Sequence, residues 1–180
     1  MTPRRLRLVP AAVAVSVTLT LSACAGSDDD VAVPTEPGRV DATIVGDEAF
    51  EVVVVRRTAI GFGDAALATS EDELSEVWDD WEPGVVKPTV DFDRDVALVM
   101  TRPDDACADL VDRFEVTDDD GVPTWTPVFE PPPGGCAQPL LAWLHVVAID
   151  REALGSETLI RVPADDTFGV TERVVRFAAG

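Results

Sequence analysis

Residues 88–101 read Pro88-Thr89-Val90-Asp91-Phe92-Asp93-Arg94-Asp95-Val96-Ala97-Leu98-Val99-Met100-Thr101. From Val96 the run is almost continuously apolar and lacks the polar–apolar alternation of a strand with one wet face, so it predicts a strand buried on both faces. The entry to it, Asp91-x-Asp93-x-Asp95, has the first alternate carboxylates of a calcium loop. Val96 and Arg102 stand where such a loop needs its glycine and its bidentate glutamate, so the segment is expected as a solvated strand entry and no metal is assigned.

Upstream lies the one strong helix signal. Ser70 followed by Glu73 forms a capping box, and Leu74, Val77, Trp78 and Trp81 fall on one apolar stripe, so a helix is predicted over residues 71–81, ended by Pro83-Gly84. Further upstream, the valine-rich segment 50–60 reads as a strand.

Downstream, residues 110–117 and 122–129 read as two strands joined by a tight hairpin turn at Asp118-Asp119-Asp120-Gly121. Pro131-Pro132-Pro133-Gly134-Gly135 must be a loop. Residues 140–149, 157–162 and 170–177 complete the strands. One helix and six to eight strands without strand–helix alternation predict an α+β, mainly β domain, an antiparallel sheet with one amphipathic helix packed on it, over residues 40–180.

The N-terminus carries an address. Arg4, Arg5 and Arg7 precede an apolar run over residues 8–21, and Leu21-Ser22-Ala23-Cys24 is a small-residue cleavage site ending in cysteine. Residues 1–23 are therefore expected to be a lipoprotein signal peptide, with Cys24 lipidated and the mature chain held on the extracytoplasmic face of the cell membrane. The Arg4-Arg5 pair leaves both the general and the twin-arginine export routes open. Residues 24–39, with Asp28, Asp29, Asp30, Pro34 and Pro37, read as a disordered acidic tether.

The 180-residue chain has a formal charge of −20. Removal of the three signal-segment arginines, with no acidic residue, takes it to −23. Such a surface repels nucleic acid and anionic headgroups, so no nucleic-acid partner is expected and the lipid alone must hold the chain to the membrane.

With Cys24 lipidated, Cys107 and Cys136 remain as an even pair in an oxidising compartment, and a disulfide is predicted between them. It would close a loop of 29 residues. His145 is the single histidine and has no nucleophile-elbow context, so no catalytic residue and no cofactor is assigned. Its ordinary role is that of a strand histidine; it is kept with Trp125, which is flanked by Thr124 and Thr126, as a binding candidate, Trp125 reading either as a core residue packed against the helix or Trp143 or as an exposed stacking platform.

The capped helix ending in tryptophan, then Val90-Asp91-Phe92 leading straight into the strand at Asp95, resembles the C-terminal domain of the PrcB family over residues 58–162. A later strand bearing a histidine, here His145, belongs to the same pattern. The family's Gly-Gly-Tyr after the central strand is replaced by the neighbourhood of Asp105-Ala106-Cys107. The resemblance implies an accessory, non-catalytic role beside a surface protease complex. The function expected is a lipid-anchored, non-enzymatic module that binds or stabilises an extracytoplasmic protein partner. The alternatives are a small envelope hydrolase using His145 and carboxylates, and a protease inhibitor acting through exposed loops.

Overall fold

The computed structural model describes residues 43–104, 106–134 and 140–180, which fall within one compact unit, Gly38–Gly180. The expected signal segment, Cys24, the expected tether and Cys136 lie outside the described residues. In chain order the elements are β1 (Thr43–Val45), β2 (Phe50–Arg57), β3 (Ala65–Ala68), α1 (Glu71–Trp81), β4 (Asp95–Asp104), β5 (Leu110–Asp119), β6 (Val122–Glu130), β7 (Leu141–Asp150), a short α2 (Arg151–Leu154), β8 (Glu157–Val162) and β9 (Arg173–Ala178).

The fold is α+β and mainly β, and its strands divide between two sheets rather than one. One has the order β1-β5-β6-β8-β9, the other β2-β7-β4-β3. Pairing is antiparallel throughout except between β6 and β8. The chain leaves the five-stranded sheet at Pro131-Pro132-Pro133, which has no N–H to offer a ladder, and re-enters as β7 between β2 and β4. That return separates the two sheets.

β4 and β7 form the centre. Val96, Leu98 and Met100, with Val147 and Ile149, face the five-stranded sheet and meet Phe114, Trp125, Ile160 and Phe177. Ala97 and Val99, with Leu144, Val146 and Ala148, face the other way and meet Leu74 and Trp78 of α1. Both faces are thus covered, by a sheet on one side and by the helix on the other.

The helix begins and ends where its sequence dictates. Ser70 Oγ accepts from the Glu73 amide at 3.3 Å, while the Glu73 carboxylate reaches the Thr69 amide at 2.6 Å and the Thr69 hydroxyl at 2.8 Å. These bonds hold the Glu73 carboxyl below its ordinary value. At the other end the Trp78 indole donates to the Val85 carbonyl at 3.0 Å, which folds the 82–85 turn back against the helix. The β5–β6 hairpin turns on Asp120 and Gly121, both at positive φ (56° and 85°) as a two-residue I′ turn requires, and Asp118 Oδ1 accepts from the Gly121 amide at 2.7 Å.

Arg151 locks the helix to the central pair. Its Nε donates to the carbonyls of Phe92 at 3.1 Å and Asp95 at 3.0 Å, and its Nη2 donates to the carbonyl of Thr69. One guanidinium therefore joins the end of β7, the turn into β4 and the start of α1. Asp91 shapes that turn: its Oδ1 accepts from the Asp93 amide at 3.2 Å, and its carbonyl accepts from the amides of Arg94 and Asp95. Arg151→Met keeps most of the apolar stem but strands these carbonyls, and is expected to lower the unfolding free energy by about 2 kcal/mol, read from urea denaturation.

Candidate functional site

β2 and β5 are neighbours across the open side of the two sheets, and each carries a β-bulge there. In β2 the register on β7 slips between Val52 and Val54, leaving Val53 as the extra residue. In β5 the register on β6 slips between Val111 and Arg113, leaving Asp112. Bulges bend and twist the strands that hold them, and between these two strands lies a cleft of about 950 Å³.

Its apolar wall is built from Phe50, Val52, Leu110 and Pro131-Pro132-Pro133. Phe50 sits edge-on to Phe114 with ring centroids 5.2 Å apart, which anchors this wall to the inter-sheet core. Leu110 is 49% exposed. The polar rim is formed by Asp47, Asp112, Glu130 and Arg113. The charge of Arg113 is already engaged, by Asp112 at 2.6 Å and by Glu115 at 3.6 Å. The rim is therefore acidic around an apolar floor.

The residues singled out from the sequence do not gather at this cleft. Trp125 is 3% exposed and packs on Phe114, centroids 5.5 Å apart. The alternation of β6 turns it inward, so it is a core residue and offers no exposed stacking face. His145 is wholly buried, 0% exposed, opposite Met100 of β4 and Val55 of β2. Its ring meets Phe129 edge-on at 5.6 Å, and neither ring nitrogen has a hydrogen-bond partner among the described residues. Nothing in β6 or β7 read alone says which of its alternate residues face the other sheet, and for each side chain it is the facing sheet that buries it.

Burial pushes His145 down to about 4; the Arg102 guanidinium works in the same direction and Asp104 opposes it. Arg102 lies over the Phe129 ring at 3.8 Å and reaches Asp104 at 3.7 Å and Asp109 at 3.5 Å. The imidazole is thus neutral and walled off near pH 7. A general base must reach its substrate's proton, directly or through one water, and this ring reaches no surface.

Cys107 is disulfide-bonded. Its expected partner Cys136 is outside the described residues. No motif in the sequence marks the cleft, because Leu110 and the proline run at 131–133 meet only through the fold. No family model, curated protein or solved structure matches this chain.

The buried histidine makes a pH prediction. Its folded value lies below the ordinary 6.5, so the unfolded state binds the extra proton. Stability is full above pH 6.5 and is lost as pH falls toward 4, by up to about 3 kcal/mol. Urea denaturation across this window should show the loss in the wild type and a flattened dependence in His145→Leu. At pH 7 the variant should be as stable as the wild type or more so, because it removes two unpaired polar atoms from the core.

Proposed function

We propose that the chain is a lipid-anchored, extracytoplasmic, non-enzymatic binding module whose cleft between β2 and β5 takes an extended basic segment of an envelope protein. The observation that carries this is the acidic rim around an apolar, proline-lined floor. Asp47 and Glu130 would attract lysine or arginine side chains, while Phe50, Val52 and Leu110 would bury the apolar residues between them. The chain-wide charge of −20 steers the same class of partner.

The address comes from Leu21-Ser22-Ala23-Cys24, which supports attachment of Cys24 to the outer side of the membrane. The resemblance to the PrcB family favours a partner within a surface protease complex. The buried, unpartnered state of His145 counts against the hydrolase alternative.

A bridge from Cys107 to Cys136 suits such a module. The segment between β4 and β5 and the segment between β6 and β7 both cross from one sheet to the other, so the bond would tie two crossings together beside the proline wall of the cleft. In the chain-entropy picture it contributes roughly 3 to 4 kcal/mol.

Two measurements test the proposal. Metabolic labelling with an alkyne fatty acid should mark the wild type in the membrane pellet, and Cys24→Ala should lose both the label and the pelleting. A photo-crosslinking amino acid placed at Leu110 should give a discrete protein adduct in cells, whereas the same probe at Val86, which is 91% exposed and outside the cleft, should not. Identical adducts from both positions, or none from Leu110, would sink the cleft reading; label that persists in Cys24→Ala would sink the anchor.

A further inference from the structure

Open sheet edges differ sharply in this molecule. β1 has three residues. β3 has four, and the loop entering it is fastened to β9, where Arg173 donates to the Gly63 carbonyl at 3.0 Å and meets Asp64 at 3.4 Å. β9 itself carries two arginines, paired with Asp64 and Glu157. β2 is eight residues long, holds four consecutive valines, and among the described residues pairs only with β7. A long valine-rich edge of this kind is a template for another strand.

The side chains of β2 say which strand fits. Phe50, Val52, Val55 and Arg57 lie opposite Ile149, Val147, His145 and Trp143 and share the face toward the other sheet. Glu51, Val54 and Arg56 lie opposite Ala148, Val146 and Leu144, and with Val53 they share the face toward α1. Reverse the strand upon itself so that Phe50 meets Arg57, and every residue meets one from its own face: Glu51 with Arg56, Val52 with Val55, Val53 with Val54. In a regular strand this register is impossible, because positions an odd number apart point to opposite faces. The bulge at Val53 removes the conflict, and every other register that pairs more than a short terminal stretch restores it.

We infer that β2 is a self-pairing edge, through which two copies of this chain join antiparallel about a two-fold axis at the Val53 bulge, with Glu51 of each copy opposite Arg56 of the other. The interface is isologous, as closed dimers require, and it runs the four-stranded sheet of one copy into that of the next. Charge selects this occupant. In a chain of −20 overall, β2 carries one acidic and two basic residues, and in this register the one acidic residue of each copy stands opposite an arginine of the other. The Glu51–Arg56 contact occurs twice, and each Phe50 stands opposite the partner's Arg57, whose guanidinium lies over Trp143 of its own copy at 5.6 Å. Arg56 also holds the 6%-exposed Glu82 at 3.4 Å, which fixes its orientation on the face where its second partner would stand.

Sedimentation equilibrium of the full-length chain in mild detergent tests this. The wild type should dimerise, Glu51→Arg should raise the dissociation constant at least tenfold, and adding Arg56→Glu should restore dimerisation. Since Arg56→Glu also disturbs Glu82, a second route uses Glu51→Cys with Arg56→Cys. Positions five apart on one strand are separated by about 16 Å, beyond disulfide reach, so this pair bridges only between copies. A covalent dimer on a non-reducing gel is expected from the double variant and from neither single one. A monomer up to about 0.1 mM, or equal cross-linking from singles and double, overturns the inference.

Discussion

The pairing of β4 with β7 is the constraint on which everything else rests. Along Val96 to Thr101 no residue is more than 1% exposed, and Leu144 to Ile149 are equally enclosed apart from Ala148 at 5%. A strand pair without a wet face can exist only between two other layers. The chain supplies one layer by folding β5, β6, β8 and β9 into a second sheet, and the other by laying the Leu74–Trp78 stripe of α1 across the outer face. Arg151, placed where β7 ends, ties the helix layer to the strand layer through three main-chain carbonyls, so the two are fixed together at one corner.

This arrangement explains where polar groups are tolerated. Thr101 is buried, yet its hydroxyl accepts from the Asp64 amide at 3.1 Å and its main chain exchanges bonds with Gly63 and Asp64, so it extends the β3–β4 ladder at no loss. His145 receives nothing comparable. It fills an aromatic-sized space beside Phe129 in the same central pair, and its volume rather than its polarity is used there. The charged groups nearby, Arg102, Asp104 and Asp109, satisfy one another at the end of the sandwich where Cys107 also lies.

Local patterns in the sequence carried the helix to its terminal residues and placed most strands within a few positions, because capping, the apolar stripe and the Asp-Gly turn act over short distances. β1 and β3 were not legible. Three residues give no period, and Ala65-Ala66-Leu67-Ala68 has none of the β-branched residues by which a strand is recognised; it is held as a strand by pairing with β4. The division into two sheets was hidden for a related reason. Whether β7 pairs with β6 or with β4 depends on where a proline-rich crossing lets it return, not on any residue within β7. That Trp125 and His145 lie between the sheets was hidden on the same account, since the sheet facing each is assembled from strands distant in sequence.

The candidate surfaces are consequences of the same layering. Putting β7 and β4 in the middle leaves β2 at one margin of its sheet and β5 near the margin of the other, and the two sheets cannot close over that side because β2 and β5 belong to different ladders. The bulges at Val53 and Asp112 bend both strands at this opening. A bulge on an exposed strand is usually a guard against pairing, since it breaks the match between backbone spacing and side-chain face. In β2 it does the reverse for one partner alone: the same inserted residue that spoils registry with a regular strand brings the two halves of β2 into registry with each other. Discrimination between copies of itself and other strands would then follow from a single inserted valine, with Glu51 and Arg56 on either side of it setting the polarity of the match.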